Sequence, residues 1–212
     1  MKRFYIVRHG QTEANRLGVL QGRGLDPPLN DTGRKQAERL AERLAEEPIE
    51  LIASSPLKRA VETARILAAR HPGVPLRLYP ELAEMHWGIY EGRAIDAELE
   101  ALLRDLIFAW SEGELHRGLP GGESPLDVQR RLRFVIDELL RSPARHILIV
   151  GHGRMLRILL TTLLGWGLER MEAITHTNGA LNVLDYDGER FHALLLNCTA
   201  HLDPEPDPMS RY

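Results

Sequence analysis

The chain has 212 residues, of which 43% are hydrophobic and 27% are charged, and its formal net charge is −3. This length fits one compact domain with a substantial core, and the charge excludes the broad basic surface that is typical of nucleic-acid-binding proteins. The single cysteine, Cys198, excludes an intramolecular disulfide and favours a reducing compartment. Because no run of about 18 apolar residues and no secretory signal occurs, we expect a cytoplasmic protein without a membrane anchor.

The first predicted element is a short buried strand over Phe4 to Val7, a run of apolar, β-branched and aromatic residues. Arg8 and His9 follow at once, and Gly10 allows the chain to turn. Ligands bind at the carboxyl ends of strands in open parallel sheets. Arginine is a forked, permanently charged donor for phosphate or carboxylate, and histidine titrates near neutrality. This stretch therefore predicts part of an anion site.

Helices and strands alternate through the rest of the chain. Hydrophobic periodicity predicts helices over residues 32–46, 56–70, 94–111 and 154–164, a further helix opened by Ser124 and Pro125, and strands over 49–53, 74–79 and 146–150. A hairpin is predicted over 180–186 and 190–196. This alternation predicts an α/β fold with a mostly parallel sheet and helices on both faces.

We expect a single domain over residues 1–202. Between about 93 and 122, a helical pattern gives way to a polar, glycine-rich passage, which is the pattern of a lid-like insertion. The preceding stretch, 80–92, has neither helical nor alternating periodicity and is predicted to be a structured loop that carries Glu84. Residues 203–212, where proline alternates with acidic residues, are predicted to be a flexible tail.

Two further strand ends carry residues suited to an anion. A Ser-Ser-Pro sequence after the second strand predicts a serine cap and a helix that starts at Pro56, with Arg59 in its first turn. His152 stands between two glycines directly after the strand over 146–150. Since parallel strands end at one edge of the sheet, we expect Arg59 and His152 to meet the Arg-His pair of the first strand.

Two imidazoles and two guanidinium groups around one point suit a phosphoryl group. The guanidinium groups would neutralise its oxygens while one imidazole attacks phosphorus in line, and Glu84 would supply a proton to the leaving oxygen. A metal site formed by His9, His152 and Glu84 lacks the usual His-x-x-x-His or Glu-x-x-His spacing, and the neighbouring arginines would repel the cation. We therefore predict no metal and no other cofactor.

Five motifs, in this order and spacing, resemble those of one known family. They are Arg8-His9-Gly10; Ser54-Ser55-Pro56-Leu57-Lys58-Arg59-Ala60 with Thr63 and Ala64; Leu82-x-Glu84-x-x-x-Gly88-x-x-Glu91-Gly92; Pro120-Gly121-Gly122-Glu123-Ser124; and Gly151-His152-Gly153. From residue 3 to about residue 197, the chain resembles the histidine phosphatase superfamily, also called the phosphoglycerate-mutase-like family. The resemblance implies a three-layer fold with a mixed sheet, a late antiparallel strand and no metal.

The resemblance also implies roles for single residues. By it, His9 is the nucleophile that becomes phosphohistidine, and Glu84 is the general acid and then the general base. The groups that would bind the phosphoryl group are Arg8, Arg59 and His152. The further substrate-binding positions are Asn15, Gln21, Gly22 and, through its backbone amide, Gly153. The expected partner is a small-molecule phosphate ester, and a homodimer is common in the family.

The choice between a phosphatase and a mutase depends on the region that covers the site. Cofactor-dependent mutases carry extra arginines and lysines there for a second acidic group. Residues 93–118 contain three cationic residues among six acidic ones: Arg93, Arg104 and Arg117 with Asp96, Glu98, Glu100, Asp105, Glu112 and Glu114. We therefore favour a small bacterial phosphomonoesterase, similar to broad-specificity and α-ribazole-phosphate phosphatases. A cofactor-dependent phosphoglycerate mutase is the first alternative, and a catalytically idle binding module of the same fold is the second.

Overall fold

A mixed sheet forms the centre of the protein, whose computed structural model describes residues 1–202; the predicted tail, 203–212, lies outside these residues. Within them, six strands pair in the order β3-β2-β4-β1-β5-β6. The strands are β1 (Lys2–Arg8), β2 (Leu51–Ser54), β3 (Leu76–Leu78), β4 (His146–Gly151), β5 (Leu181–Tyr186) and β6 (Phe191–Cys198). The first four are mutually parallel, whereas β5 is antiparallel to β1 and to β6. The predicted mostly parallel mixed sheet is confirmed.

Helices cover both faces of this sheet, as predicted. The α-helices are α1 (Glu13–Arg16), α2 (Asp31–Leu44), α3 (Lys58–Ala68), α4 (Ala97–Ser111), α5 (Pro125–Arg141) and α6 (Gly153–Leu163). Helices α2 and α3 pack on one face, and α4, α5 and α6 pack on the other. Short 3₁₀ helices lie over Pro80–Leu82, Gly88–Tyr90 and Leu168–Ala173. The sequence did not predict α1 or the last 3₁₀ helix, because both are too short to show a periodic pattern.

The start of α3 corrects one sequence prediction. The helix begins at Lys58 after the N-cap residue Leu57, which makes no side-chain capping bond, so the predicted serine cap and the start at Pro56 are wrong. The Ser55 hydroxyl accepts a hydrogen bond from the Leu57 amide at 3.3 Å, and it also lies 2.7 Å from Nε2 of His152. Ser55 therefore joins the turn before α3 to the residue that follows β4.

The strand register determines which side chains meet. Arg8 at the end of β1 pairs with Gly151 at the end of β4, and Ser54 at the end of β2 pairs with Val150 one residue earlier. The next residues along the three strands therefore leave the sheet at the same edge. This edge is the ligand-binding edge expected for an open α/β sheet.

The segment before α4 is joined to the loop that follows α1. The backbone amide of Leu20 donates to the Arg93 carbonyl at 3.0 Å, and the amide of Gly92 donates to the Leu20 carbonyl at 2.7 Å. Apolar residues of α4 then enter the same core as α5 and α6. Among the described residues, no helix has the length and apolar character needed to cross a bilayer.

Candidate active site

His9 lies directly after β1 and is 2% exposed. Its Nδ1 is 2.7 Å from the Gly10 carbonyl oxygen, and Nε of Arg59 donates to its Nε2 at 3.2 Å. A carbonyl oxygen only accepts hydrogen bonds, so Nδ1 carries the proton and Nε2 keeps its lone pair. Burial, followed by the charges of Arg59 and Arg8, holds the pKa of His9 well below its usual value. The imidazole is therefore neutral at pH 7, as a nucleophile must be.

Arg59 reaches His9 from the first turn of α3 and is almost fully buried. Its Nη2 donates to the Gly22 carbonyl at 2.7 Å and its Nη1 to the Leu25 carbonyl at 3.2 Å. Burial lowers its pKa to about 10, so the group stays cationic at neutral pH. Oδ1 of Asp26 lies 3.7 Å from its Nη1, and the charges of Glu84 and Asp26 both favour the cation.

Glu91 holds the loop that provides these two carbonyls. Its carboxylate accepts hydrogen bonds from the backbone amides of Arg23 at 3.1 Å and Gly24 at 2.6 Å, and also from the amide of Trp87 at 2.9 Å. Gly22 has φ of +55°, and a Cβ there would lie 1.8 Å from Oε1 of Glu91. Only glycine fits both this conformation and this approach.

Arg8 ends β1, and its side chain lies beside the start of α6. Its Nη1 donates to the His176 carbonyl at 2.5 Å, and a Cβ at Gly153 would lie 3.3 Å from the Arg8 Cζ. The absence of a side chain at Gly153 therefore lets the guanidinium group approach the helix end. Backbone amides and the helix dipole also favour an anion at the start of a helix. The charge of Arg8 and the start of α6 therefore both favour binding of an anion at this point.

Glu84 approaches the same helix end from the loop after β3. Its Oε2 accepts from the Arg154 amide at 3.1 Å, and its Oε1 accepts from the amides of Met155 at 2.9 Å and Met85 at 2.8 Å. These bonds fix the carboxyl group of Glu84 in the wall of a pocket that His9 also lines. The neighbouring carboxylate of Glu91 is committed to the loop amides.

The ion pair between Arg131 and Glu123 holds the backbone of the loop that carries Glu84. Arg131 on α5 donates to the carbonyls of Ala83 at 2.8 Å, Glu84 at 3.2 Å and Glu81. The carboxylate of Glu123 accepts from Nε of Arg131 at 2.9 Å and from the backbone amide of His86 at 2.9 Å. The carboxyl group of Glu84 is thus fixed from inside the pocket and its backbone from outside.

His152 contacts His9, but it is absent from the described residues that line the pocket. The two ring centroids are 5.1 Å apart, and Nε2 of His152 lies 2.7 Å from the Ser55 hydroxyl. Burial, followed by the charge of Arg59, holds its pKa well below the usual value. The structure therefore brings the two histidines together, with His152 in direct support of His9.

Two amides complete the polar end of the pocket. Oδ1 of Asn15 accepts from the Thr12 amide at 3.1 Å and from Nδ2 of Asn178 at 3.4 Å. Oε1 of Gln21 accepts from the Thr12 hydroxyl at 3.0 Å. With both oxygens turned to Thr12, the amide nitrogens of Asn15 and Gln21 remain as donors. Both residues line the pocket.

One pocket joins these groups at the predicted edge of the sheet. Its polar lining residues are Arg8, His9, Asn15, Gln21, Gly22, Arg59, Glu84, Gly153 and Arg154, and its apolar ones are Val19, Leu20, Trp87, Leu103 and Ile107. Within residues 1–202, no group of three or more His, Cys, Asp or Glu side chains is arranged to hold a metal ion. Of the predicted site residues, all except His152 line this one pocket.

Comparison with known proteins identifies the family. The sequence profile of the histidine phosphatase superfamily (branch 1) matches residues 4–199. The chain belongs to the histidine phosphatase superfamily. This membership confirms the resemblance that the five motifs predicted.

Relatives of this histidine phosphatase carry several names. A proposed phosphoserine phosphatase from Hydrogenobacter thermophilus is 34% identical over 95% of this chain and 98% of that protein. A probable phosphoglycerate mutase, GpmB, from Yersinia pestis is 34% identical over the full length of both. The solved structure of a mycobacterial glucosyl-3-phosphoglycerate phosphatase complexed with VO3 has a TM-score of 0.84 at 32% identity, over 94% of this chain and 100% of that one. An α-ribazole phosphatase from Shigella flexneri has a TM-score of 0.79 at 29% identity, over 92% and 96%.

This histidine phosphatase also has a buried charge cluster that the sequence reading missed. Arg154 and Arg157 on α6 share one counterion, Glu172, with Arg157 at 2.7 Å from it. Burial alone would raise the pKa of Glu172, but the two guanidinium groups hold it below its usual value. The available signal was two arginines within an otherwise apolar helix, which require a buried partner.

Proposed function

We propose that this enzyme hydrolyses small phosphomonoesters through a phosphohistidine intermediate on His9. The observation that supports this most strongly is the state of His9. Nε of Arg59 donates a hydrogen bond to the lone pair of its Nε2. Arg8 and the start of α6 line the same pocket. A neutral imidazole among cations fits attack on a phosphoryl group.

The first step forms a bond between Nε2 of His9 and phosphorus, and the phosphorus–oxygen bond to the alcohol breaks. Glu84, entering the step with its proton, gives that proton to the departing oxygen. The positive charge on the phosphorylated imidazole is stabilised by the Nδ1–H bond to the Gly10 carbonyl. In the second step, Glu84 takes a proton from water, the water oxygen attacks phosphorus, and the bond to His9 breaks to release phosphate.

The phosphoryl oxygens would be bound by the polar end of the pocket. Arg8 and Arg59 supply charge, and the free amide nitrogens of Asn15 and Gln21 supply neutral donors. The backbone amide of Gly153 adds the helix end, and Gly22 contributes by placing its carbonyl on Arg59. We assign His152 the task of binding or orienting through its contact with His9.

Phosphate trapping tests the intermediate. The enzyme is mixed with p-nitrophenyl phosphate and quenched in alkali, where phosphohistidine survives, and the bound phosphate should be lost in acid. His9→Ala should carry none. Absence of acid-labile phosphate on the wild-type chain, together with no turnover, would support the idle binding module instead.

Glu84→Gln tests the proton transfer. We expect about 10²-fold or greater loss of kcat/KM on an alkyl phosphate, whose alkoxide leaves poorly without a proton. The loss on p-nitrophenyl phosphate should be much smaller, because nitrophenolate is a good leaving group. Equal losses on both esters would remove Glu84 from the acid role.

The mutase alternative is less favoured. None of the cationic residues at 93–118 lines the pocket within the described chain, so a second acidic group has no partner there. Release of inorganic phosphate from 3-phosphoglycerate, compared with 2,3-bisphosphoglycerate-dependent isomerisation, separates the two activities.

The lid, the location and the assembly belong to the same proposal. The predicted lid-like insertion over 93–122 corresponds to α4 and the passage after it, and Leu103 and Ile107 of α4 line the pocket. We place the enzyme in the cytoplasm on the ground of its single cysteine, without nucleic acid or membrane as partners. Light scattering would test the homodimer that is common in the family.

A further inference from the structure

Five apolar residues form one part of the pocket lining, which is called the leaving-group end below. Val19 and Leu20 line it from the loop after α1, Trp87 from the loop after β3, and Leu103 and Ile107 from α4. The last two are four residues apart and so share one face of the helix. The alcohol part of a phosphomonoester whose phosphorus lies at His9 has to occupy this space.

The charged residues of the α4 region do not reach this space. Arg93 lies 3.5 Å from Asp96 and 3.6 Å from Glu98, and Arg117 lies 3.3 Å from Asp105. These residues and Arg104 are solvent-facing or half-exposed. The face of α4 that covers the pocket is therefore uncharged.

Three arginines line the pocket among the described residues, and Arg8 and Arg59 are assigned to the phosphoryl group. Arg154 is the third. Its Nη1 pairs with Glu172, and its Cζ lies 5.8 Å from the ring of Trp87 and 5.3 Å from the ring of Trp110. Its Nε and Nη2 have no hydrogen-bond partner in the described chain, and neither atom is accessible to solvent. Arg154 thus lines the pocket with its charge already paired with Glu172 and its guanidinium group close to two indole rings.

We infer that the enzyme selects phosphomonoesters whose alcohol part is uncharged and apolar, an aliphatic chain or an aromatic ring. This inference rests on the proposed function and names the substrate class of the same site. Each methylene that leaves water on binding contributes about 0.8 kcal/mol, which is about fourfold in kcat/KM. A carboxylate beside the ester would lose its water without gaining a partner.

A series of n-alkyl phosphates tests the inference, since the leaving alcohols from ethyl to hexyl differ little in acidity. We expect kcat/KM to rise by about two- to fourfold per methylene until the space is filled. O-Phosphoserine and 3-phosphoglycerate should fall below butyl phosphate. Ile107→Ala should reduce the slope of kcat/KM with chain length.

Phe108→Ala is the matched control, because this neighbouring side chain on α4 is 62% exposed and absent from the pocket lining. It should keep the wild-type slope. Circular dichroism confirms that each variant is folded, and Ile107→Val gives a milder second variant with an intermediate slope.

A flat alkyl series or a preference for the carboxylate esters overturns the inference. If Arg154→Met then removes the carboxylate preference, Arg154 is the anion-binding residue instead. Should no ester be hydrolysed, the proposed function fails, and calorimetry with ethylphosphonate and hexylphosphonate still decides the inference. Tighter binding of hexylphosphonate supports an apolar subsite, and equal binding overturns it.

Discussion

The two ends of the pocket are built in opposite ways. At the phosphoryl end, the side chains of Arg8, Arg59 and Glu84 are fixed by hydrogen bonds to backbone atoms. At the leaving-group end, one helix face and two loop segments provide apolar contact without directional bonds. Directional hydrogen bonds position the groups at the phosphoryl end, whereas the shape of an apolar surface determines which alcohol groups fit at the leaving-group end. Substitutions should therefore have large, substrate-independent effects at the first and modest, substrate-dependent effects at the second.

The largest effect is expected at the nucleophile. His9→Ala should lower kcat by about 10⁴-fold or more on every ester, because no covalent intermediate forms. The change is measured with p-nitrophenyl phosphate and ethyl phosphate. His192→Ala, at an exposed histidine in the β5–β6 hairpin, is the matched control and should retain full activity. Loss confined to one ester would contradict the comparison.

Arg59→Met should lower kcat/KM by about 10³-fold on all esters, since a buried charged donor to the phosphoryl group is lost. It should also move the acidic limb of the pH profile of kcat/KM to higher pH. The sign follows from the charge of Arg59, which lowers the pKa of His9; without that charge, His9 protonates at higher pH and loses its lone pair.

The control for this variant is Arg65→Met, an exposed arginine on the same helix. Its pH profile should match the wild type. An unchanged acidic limb in Arg59→Met would show that Arg59 does not act on His9 in solution.

Arg131→Met tests whether a residue that does not line the pocket affects catalysis at the phosphoryl end. Since Arg131 holds three carbonyls of the loop that carries Glu84, we expect about 10- to 50-fold loss on ethyl phosphate and only a few-fold loss on p-nitrophenyl phosphate. Arg131→Lys should recover part of the alkyl activity. Arg130→Met, at an adjacent side chain that is 72% exposed, is the control. Equal losses on both esters would indicate a merely structural role.

The smallest effect concerns stability, and three almost fully buried histidines contribute to it. Burial first, and then neighbouring arginines, hold the pKa of His9, His152 and His176 below the usual 6.5. Such groups bind protons more readily in the unfolded chain, so stability is present above about pH 6.5 and falls as the pH drops below it. Between pH 7.5 and 6.0, the free energy of unfolding should fall by about 2 kcal/mol. Urea titration at both values measures it, and equal midpoints would refute it.

Much of the phosphoryl end could be predicted because the sequence pattern shows where the strands end. The residues after Val7, Ser54 and Val150 had to share an edge once the strands were parallel. The sequence could not show that Nε2 of His152 contacts the Ser55 hydroxyl. Side-chain direction depends on competition between neighbours on different strands, which has no periodic signal.

The leaving-group end was harder to predict. The acidic composition of residues 93–118 argued against a polyanionic substrate, but it described the solvent face of α4. The pocket face is formed by Leu103 and Ile107, which the sequence shows only as part of an apolar stripe. Whether such a stripe enters the core or a ligand pocket depends on the loops that it meets in three dimensions.

Glu91 gives this architecture a common anchor. One carboxylate secures both the turn that seats Arg59 and the amide of Trp87. A mutation there would disturb chemistry and selectivity together, whereas a mutation at Ile107 would alter selectivity alone. Evolution can thus diversify the accepted alcohols along a single helical stripe while the reacting atoms stay undisturbed, and laboratory libraries aimed at new substrates should be confined to that stripe.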